Sequence, residues 1–572
     1  MGMMSLNTAV GGLNAAQTGL YVTGHNMANS SIQGYSRQRH VQADYSYNPA
    51  GFDGNGSLMQ KGLGAFIKAI RQIRSRFLDA AFRTEESRLG YYKIKSDVGV
   101  EVENVLGETQ SQYNLQSVIL DMWNSLNELS AHPEGLETRV NFISTANAFV
   151  TKTEDVYNRL FQYQHNLDRQ IRAAVTKVND LVERIQTLSI KIAGYEAAGD
   201  NANDYRDERN LCLDELSEYI TFQLDDKPDG SIGITAEGKE LLSGGVRNRL
   251  GLKYLSGEYD FVEPVFTKST EILGSDTPLD EYQPLFVFKG PVNADYGNDN
   301  GILKGLMISR GTRPANFQGE NGLAPPNPAD PIYPLGTSDP LYIARLRKYE
   351  NDVYSVNNCF IPMTMRDMDV IVHGIVTMIN DRLAPVNGGG TQDPNAPFDL
   401  THTQPYMELF SRKHVSRWDG GLIYNSEDPT DFYSLYTSGN LMINPKLVEP
   451  DGHNRLALSI SGDREDNLLI LDLIDLWSDR IISFNGQEAR SINDAYKEYI
   501  AAIGTETRED LSFVTEQELL TQQVDDKRGQ IMGVSLDEEM KNMMIYQHAY
   551  GSAAKILNVI DSMLDRLINL GA

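Results

Sequence analysis

A chain of 572 residues with 41% hydrophobic side chains is long enough for about four domains and for cores that exclude water. Its 51 Lys and Arg against 78 Asp and Glu leave a formal charge of -27, which repels nucleic acid and anionic membrane surfaces, so neither is expected as a partner. Cys212 and Cys359 are too few for a disulfide framework and lack CxxC spacing, and no stretch reaches the roughly 18 apolar residues of a membrane span.

At the N-terminus Leu6, Ala9, Leu13, Ala16, Leu20, Thr23 and Met27 advance by alternating three and four residues. That spacing is a heptad seam, which asks for a partner helix. Gly11, Gly12, Gly19 and Gly24 each cost about 0.5 to 1 kcal/mol relative to alanine, so this helix should be weak alone. The Asn-, Ser- and Gly-rich run 26–34 stops it, and Tyr35-Ser36-Arg37-Gln38 opens an extended stretch.

After a Gly-rich connector over 51–64, helical patterns are expected over 65–105 and 116–130, with Lys68, Arg71, Arg74 and Arg76 on an exposed helix face. From Ile143 to Ile192 a single apolar register, missing only at Thr153 and Gln164, predicts one helix of about fifty residues, roughly 75 Å long. Of 22 prolines, twelve lie between Pro228 and Pro340 and seven between Pro385 and Pro450, which makes those regions β and loop inserts in a helical frame. A hairpin is expected around Asp229-Gly230, and helices over 363–383 and 467–531.

The last helix starts at an S-x-x-E capping box, Ser535 to Glu538, and carries a second seam of Met543, Tyr546, Tyr550, Ala553, Leu557, Ile560, Leu564 and Leu567. The two ends are expected to pair. The expected fold class is α+β and multidomain: a long coiled-coil-like helical frame formed from the N- and C-terminal segments, with β-rich inserted domains. Its parts are an N-terminal helix (1–34), the first part of the frame (35–221), a β-rich insert (222–340), a helical return (341–384), a second β/loop insert (385–466), the last part of the frame (467–533) and the C-terminal helix (534–572). Both inserts should be separable from the frame, because their limits fall in Pro- and Gly-rich connectors.

The stretch Asn26 to Gln38, with Asn26, Asn29, Gly34, Tyr35, Arg37 and Gln38, resembles the N-terminal signature shared by bacterial flagellar rod, hook and hook-associated proteins. Ser535-Leu536-Asp537-Glu538-Glu539 and Tyr546-Gln547-His548-Ala549-Tyr550 resemble the C-terminal signature of the same axial proteins. The segment from Asp204 through Arg209 to Ser217 is similar to one found in the hook-associated branch. The resemblance implies a structural subunit, not an enzyme, that joins hook to filament and polymerises through its paired terminal helices. It also implies export to the extracellular flagellum through the type III pathway without a cleaved signal peptide. The partners so implied are the hook protein, a second junction protein (hook-associated protein 3) or the filament side, further copies in a ring, and a cytoplasmic export chaperone on the C-terminal region. The alternatives are another axial subunit, of hook or rod, or an axial frame carrying a glycan-binding or adhesive insert.

No motif for chemistry accompanies these features. There is no H-E-x-x-H, no G-x-S-x-G and no phosphate loop. His402 and His414 read as loop histidines, and Asn298-Asp299-Asn300-Gly301 as a solvated turn without the ligand spacing of a calcium loop. No catalytic, cofactor or metal residues are therefore expected.

Overall fold

The computed structural model describes residues 2–44, 48–52, 58–61, 64–107, 114–227, 230–327, 338–484 and 486–570. Asp229 of the expected hairpin and the Leu567 side chain lie outside the described residues. In chain order the elements begin with α1 (Gly2–Ala28), β1 (Gln38–Asp44), β2 (Asn48–Phe52), β3 (Leu58–Lys61), β4 (Ala65–Gln72), α2 (Arg76–Leu106), α3 (Leu115–Ala131), α4 (Leu136–Ala197) and α5 (Asn203–Tyr219). Short strands follow: β5 (Gln223–Asp226), β6 (Ile232–Ala236), β7 (Lys239–Ser243), β8 (Val246–Arg247), β9 (Leu250–Tyr254), β10 (Val262–Thr267) and β11 (Tyr282–Pro284). Then come α6 (Ile302–Arg310), α7 (Pro340–Asn358), α8 (Phe360–Leu383), β12 (Phe410–Arg412), β13 (Trp418–Asp419), β14 (Ile423–Tyr424), β15 (Leu441–Ile443) and α9 (Pro445–Val448). The chain closes with α10 (Leu468–Ser478), α11 (Ile492–Met532) and α12 (Leu536–Leu570). Long helices with several small antiparallel sheets make this an α+β fold.

The residues form two compact units: Met1–Leu89, Lys177–Asn248 and Glu516–Ala572 in the first, Gly90–Thr176 and Arg249–Thr515 in the second. The first holds α1 and α12, the antiparallel pair β1-β4, the pair β2-β3, and the sheet β5-β6-β7-β8. Here one expectation fails. Residues 65–72 form a strand rather than the start of a helix, because Ile67 and Ala69 turn inward in alternation while Phe66 and Lys68 face out, and β1 supplies the hydrogen-bonding edge. Lys68 and Arg71 are consequently on a sheet, Arg74 is drawn inward by a carboxylate, and only Arg76 belongs to a helix.

The second unit packs α3, α7, α8 and α10 with the sheet β11-β10-β9. The two gaps in the apolar register of α4 are buried polar residues with local work to do. Thr153 Oγ1 donates to the Val150 carbonyl at 2.9 Å, and Gln164 Nε2 donates to the Arg310 carbonyl at 2.7 Å. Asp299 departs from the solvated turn expected of it: it is fully buried and accepts from the Tyr92 hydroxyl at 2.7 Å.

Segment 385–466 is woven into this unit rather than separable from it. Phe410, Leu435, Leu441, Leu456 and Leu458 are buried, and the Phe410 ring meets Phe149 of α4 edge to face. Asn380 of α8 spends its whole amide on the same strand, donating to the Phe410 carbonyl at 2.7 Å and accepting from the Leu409 and Phe410 amides. Buried Arg139 of α4 donates to the carbonyls of Pro133 and Leu456. Short loops with little regular structure thus carry a large part of the core. Replacing 385–466 by a Gly/Ser linker is expected to abolish the cooperative transition of this unit in calorimetry, and Phe410→Ala to cost about 3 to 5 kcal/mol in urea denaturation.

Candidate assembly interface

The helices α1 and α12, from opposite ends of the sequence, pack along each other. On α1 the covered face is made of small residues: Ala9, Ala15, Ala16, Gly19, Val22 and Thr23 are buried, while Leu6, Leu13, Leu20 and Met27 are half-buried. On α12, Ala553 and Ile560 are buried, Met543, Tyr546 and Leu557 are half-buried, and Tyr550 and Leu564 are exposed. The glycines that weaken α1 have a use in this packing. A Cβ on Gly19 would stand 2.7 Å from the ring of Tyr546, and one on Gly11 would stand 2.7 Å from the Ala65 carbonyl of β4. Bare backbone lets the helix approach an aromatic ring on one side and a strand on the other.

The turn that ends α1 is held by side chains. Asn26 Nδ2 donates to the Gln38 carbonyl at 2.9 Å while its Oδ1 accepts from the Gln38 amide at 2.9 Å, so one buried side chain satisfies both backbone groups of the first residue of β1. The same oxygen accepts from the Tyr35 hydroxyl at 2.8 Å. Burial, with Asp207, Asp204 and Glu539 nearby, holds that phenol well above its usual pKa and keeps it a donor. Asn29 caps the helix through the His25 carbonyl at 3.0 Å, and Gly34 supplies the left-handed residue, φ +80°, that swings the chain into Tyr35.

Arg37 carries the turn to α12. Its amide donates to the Met532 carbonyl at 2.8 Å, its Nε to Glu539 at 2.7 Å, and a terminal nitrogen to Glu538 at 3.0 Å. These contacts revise the expected capping box. Ser535 Oγ accepts from the Glu538 amide at 3.4 Å, but the Glu538 carboxylate turns to Arg37 instead of its own backbone, because a charge-assisted bond to a guanidinium is the stronger one.

Beneath the turn lies a network of buried charges. Ser36 donates its amide to Asp207 at 3.1 Å, and its hydroxyl accepts from Arg74 at 3.2 Å. Arg74 Nε reaches Asp79 at 2.6 Å. Asp214 receives Arg83 at 2.7 Å and Arg528 of α11 at 2.6 Å. Arg528 also stands 3.3 Å from Asp79 and lies over the Phe82 ring. Asp207 and Asp214 sit seven residues apart, hence on one face of α5. Periodicity marks that pair in the sequence, whereas nothing local in the sequence marks Arg528.

Residues 100–276 match the family described as the flagellar hook-associated protein FlgK helical domain, and residues 530–570 match the flagellar basal body rod FlgEFG protein C-terminal family, a span that includes α12. Flagellar hook-associated protein 1 of Bacillus subtilis is 26% identical over 578 residues, covering 99% of this chain and 98% of that protein. The chain is thus similar to flagellar hook-associated protein 1 from end to end. It also resembles flagellar hook-associated protein 1 of Salmonella typhimurium, 21% identical, and of Escherichia coli, 23% identical, each match covering 99% of both chains. The flagellar hook junction protein FlgK from Burkholderia pseudomallei shares the fold, with a TM-score of 0.53 at 12% identity over 81% of this chain and 100% of that one. The terminal match coincides with the helix that α1 covers and Arg37 anchors.

Two expectations follow. Burial pushes Asp207 from the usual 3.8 up to about 6, against the Ser36 hydrogen bonds and the charge of Arg74. The folded state therefore holds this proton more tightly than the unfolded chain, and the resulting stabilisation is complete below about pH 4 and lost as pH rises through about 6. Urea midpoints at pH 7 and pH 5.5 should show a gain on acidification in the wild type that Asp207→Asn reduces, the remainder coming from Asp369 and Asp510, which burial also raises to about 6. Separately, Gly19→Val should destabilise the α1–α12 pair by about 1 to 3 kcal/mol, and Tyr546→Ala in the same chain should recover most of that loss in a double-mutant cycle of thermal unfolding.

Proposed function

We propose that this chain is a structural subunit of the bacterial flagellum, the adaptor between hook and filament, and that it polymerises through its paired terminal helices. The observation that carries the reading is the end-to-end coverage of hook-associated protein 1 relatives, together with an α12 whose seam row is covered at four of its six positions from Tyr546 to Leu564 while the next row is bare. The bare row is Ile545, Ala549, Ser552, Ile556, Val559 and Met563, again stepping by four and three, each one residue ahead of the seam that begins at Tyr546. Ile545, Ile556, Val559 and Met563 are 52%, 52%, 54% and 60% exposed. A helix with two adjacent heptad rows suits a multi-helix assembly, and an apolar strip of this length on a charged protein favours burial against copies of itself.

On this reading one axial end meets the hook protein and the other a second junction protein, hook-associated protein 3, or the filament, with copies of the chain arranged in a ring. A cytoplasmic chaperone would cover the bare row of α12 before export through the type III pathway. The chain would then work as an extracellular part of the flagellum.

Immunogold labelling of isolated flagella tests the placement: one band where hook meets filament is expected, and label spread along the hook or confined to the rod overturns it. For the bare row, the double substitution Ile556→Asp and Val559→Asp should leave the monomer's melting within about 0.5 kcal/mol of wild type, as exposed changes do. In cells carrying it as their only copy, swimming should be lost and filament subunits should appear in the medium. Ile560→Asp, on the covered row, should instead lower the melting temperature of the monomer itself.

A further inference from the structure

The first unit contains a cavity of about 920 Å³ between β4, the start of α2, α5 and the segment that leads into β5. Six arginines line it, Arg71, Arg74, Arg76, Arg83, Arg206 and Arg209, against two carboxylates, Asp79 and Asp226. Such a gathering of cations runs against the charge of the chain, which is -27. Four of the six have carboxylate partners. Arg74 reaches Asp79 at 2.6 Å, Arg83 reaches Asp214 at 2.7 Å, Arg76 reaches Asp226 at 2.9 Å, and Arg206 grips both oxygens of Glu196 at 2.7 and 2.8 Å.

Two do not. Arg71 is exposed on β4 and makes no ion pair with any described residue. Arg209 is only 3% exposed, and its guanidinium donates to the Gly230 carbonyl at 2.7 Å and to Ser189 Oγ at 3.4 Å, both neutral acceptors. Its buried Nε has no hydrogen-bond partner among the described residues. Burial, reinforced by the like charge of Arg206 and opposed by Asp226 and Glu196, lowers this guanidinium to about 10. A cation held out of water with an unused N–H is costly unless an anion completes it. Arginine forks favour ligands that offer two acidic oxygens in one plane, and the volume is that of a small-ligand pocket.

We propose that this cavity is an oxyanion-binding site, taking a ligand that presents at least two acidic oxygens to Arg71 and Arg209. The oxygens come either from a free phosphate-type anion or from Asp and Glu side chains of a neighbouring copy of the chain. The second source rests on the subunit role proposed above; the first does not.

The test uses the full-length chain in two arms. In the first, dilute protein in low-salt buffer is titrated with inorganic pyrophosphate by calorimetry. Binding is expected, with a rise in melting temperature, and Arg71→Gln should weaken it at least fivefold while leaving the unliganded melting temperature unchanged. Arg159→Gln, on an exposed ion pair of the second unit, is the control and should bind as wild type does. In the second arm, self-association of concentrated protein is followed by sedimentation with and without pyrophosphate. If Arg71→Gln and pyrophosphate both reduce self-association, the neighbour's carboxylates are the source. If neither does while pyrophosphate still binds, the source is a free anion. Absence of pyrophosphate binding by the wild type, or equal binding by Arg71→Gln, overturns the site whatever the fate of the flagellar reading, because that arm involves no assembly.

Discussion

The architecture of the first unit depends on a knot of buried ions. Arg74, Arg83 and Arg528 meet Asp79, Asp207 and Asp214, joining the exit of β4, the start of α2, the length of α5 and the end of α11. Burying such groups costs desolvation that their mutual attraction barely offsets, so an apolar cluster of equal volume would hold these segments at least as firmly. What the ions add is discrimination. An apolar contact tolerates a helix slid by a turn, whereas a guanidinium moved one turn from its carboxylate leaves two uncompensated charges in a dry place. Because Ser36 hangs from this knot through Asp207 and Arg74, the next residue, Arg37, is delivered to the start of α12 with its orientation already fixed.

The parts of the fold that could be read in advance are those where one physical rule acts over a long stretch. The register of α4 survives two polar interruptions because thirteen other apolar positions outvote them, and both terminal seams are visible as heptads for the same reason. Where a short segment takes its structure from a distant partner, the sequence is silent. Residues 65–72 read equally well as the first turns of a helix until β1 is laid beside them. The loops of 385–466 look separable because proline and glycine mark their limits, yet their leucines and phenylalanine are spent inside the second unit, where α8 meets them with Asn380.

The candidate site divides along the same line. Asn26, Tyr35 and Arg37 could be singled out by resemblance, but their roles, a side chain standing in for a strand partner, a phenol kept protonated, a bridge of two carboxylates, exist only once residues 538 and 539 have come round to meet residue 37. Glu538 shows how a local rule loses to a tertiary one: its spacing from Ser535 fits a capping box, and the arginine takes it away. The glycines of α1 weaken it as an isolated helix, and in the pair Gly19 is the surface that Tyr546 needs.

That last feature has a temporal side. The main partner of α1 is α12, so for most of synthesis the N-terminal segment has only β1 and β4 to pack against, and its glycines weaken it as a helix of its own. More than five hundred residues separate the two helices, so their pairing is among the last contacts the growing chain can make. The length of the polypeptide between the two helices thus acts as a clock for their pairing.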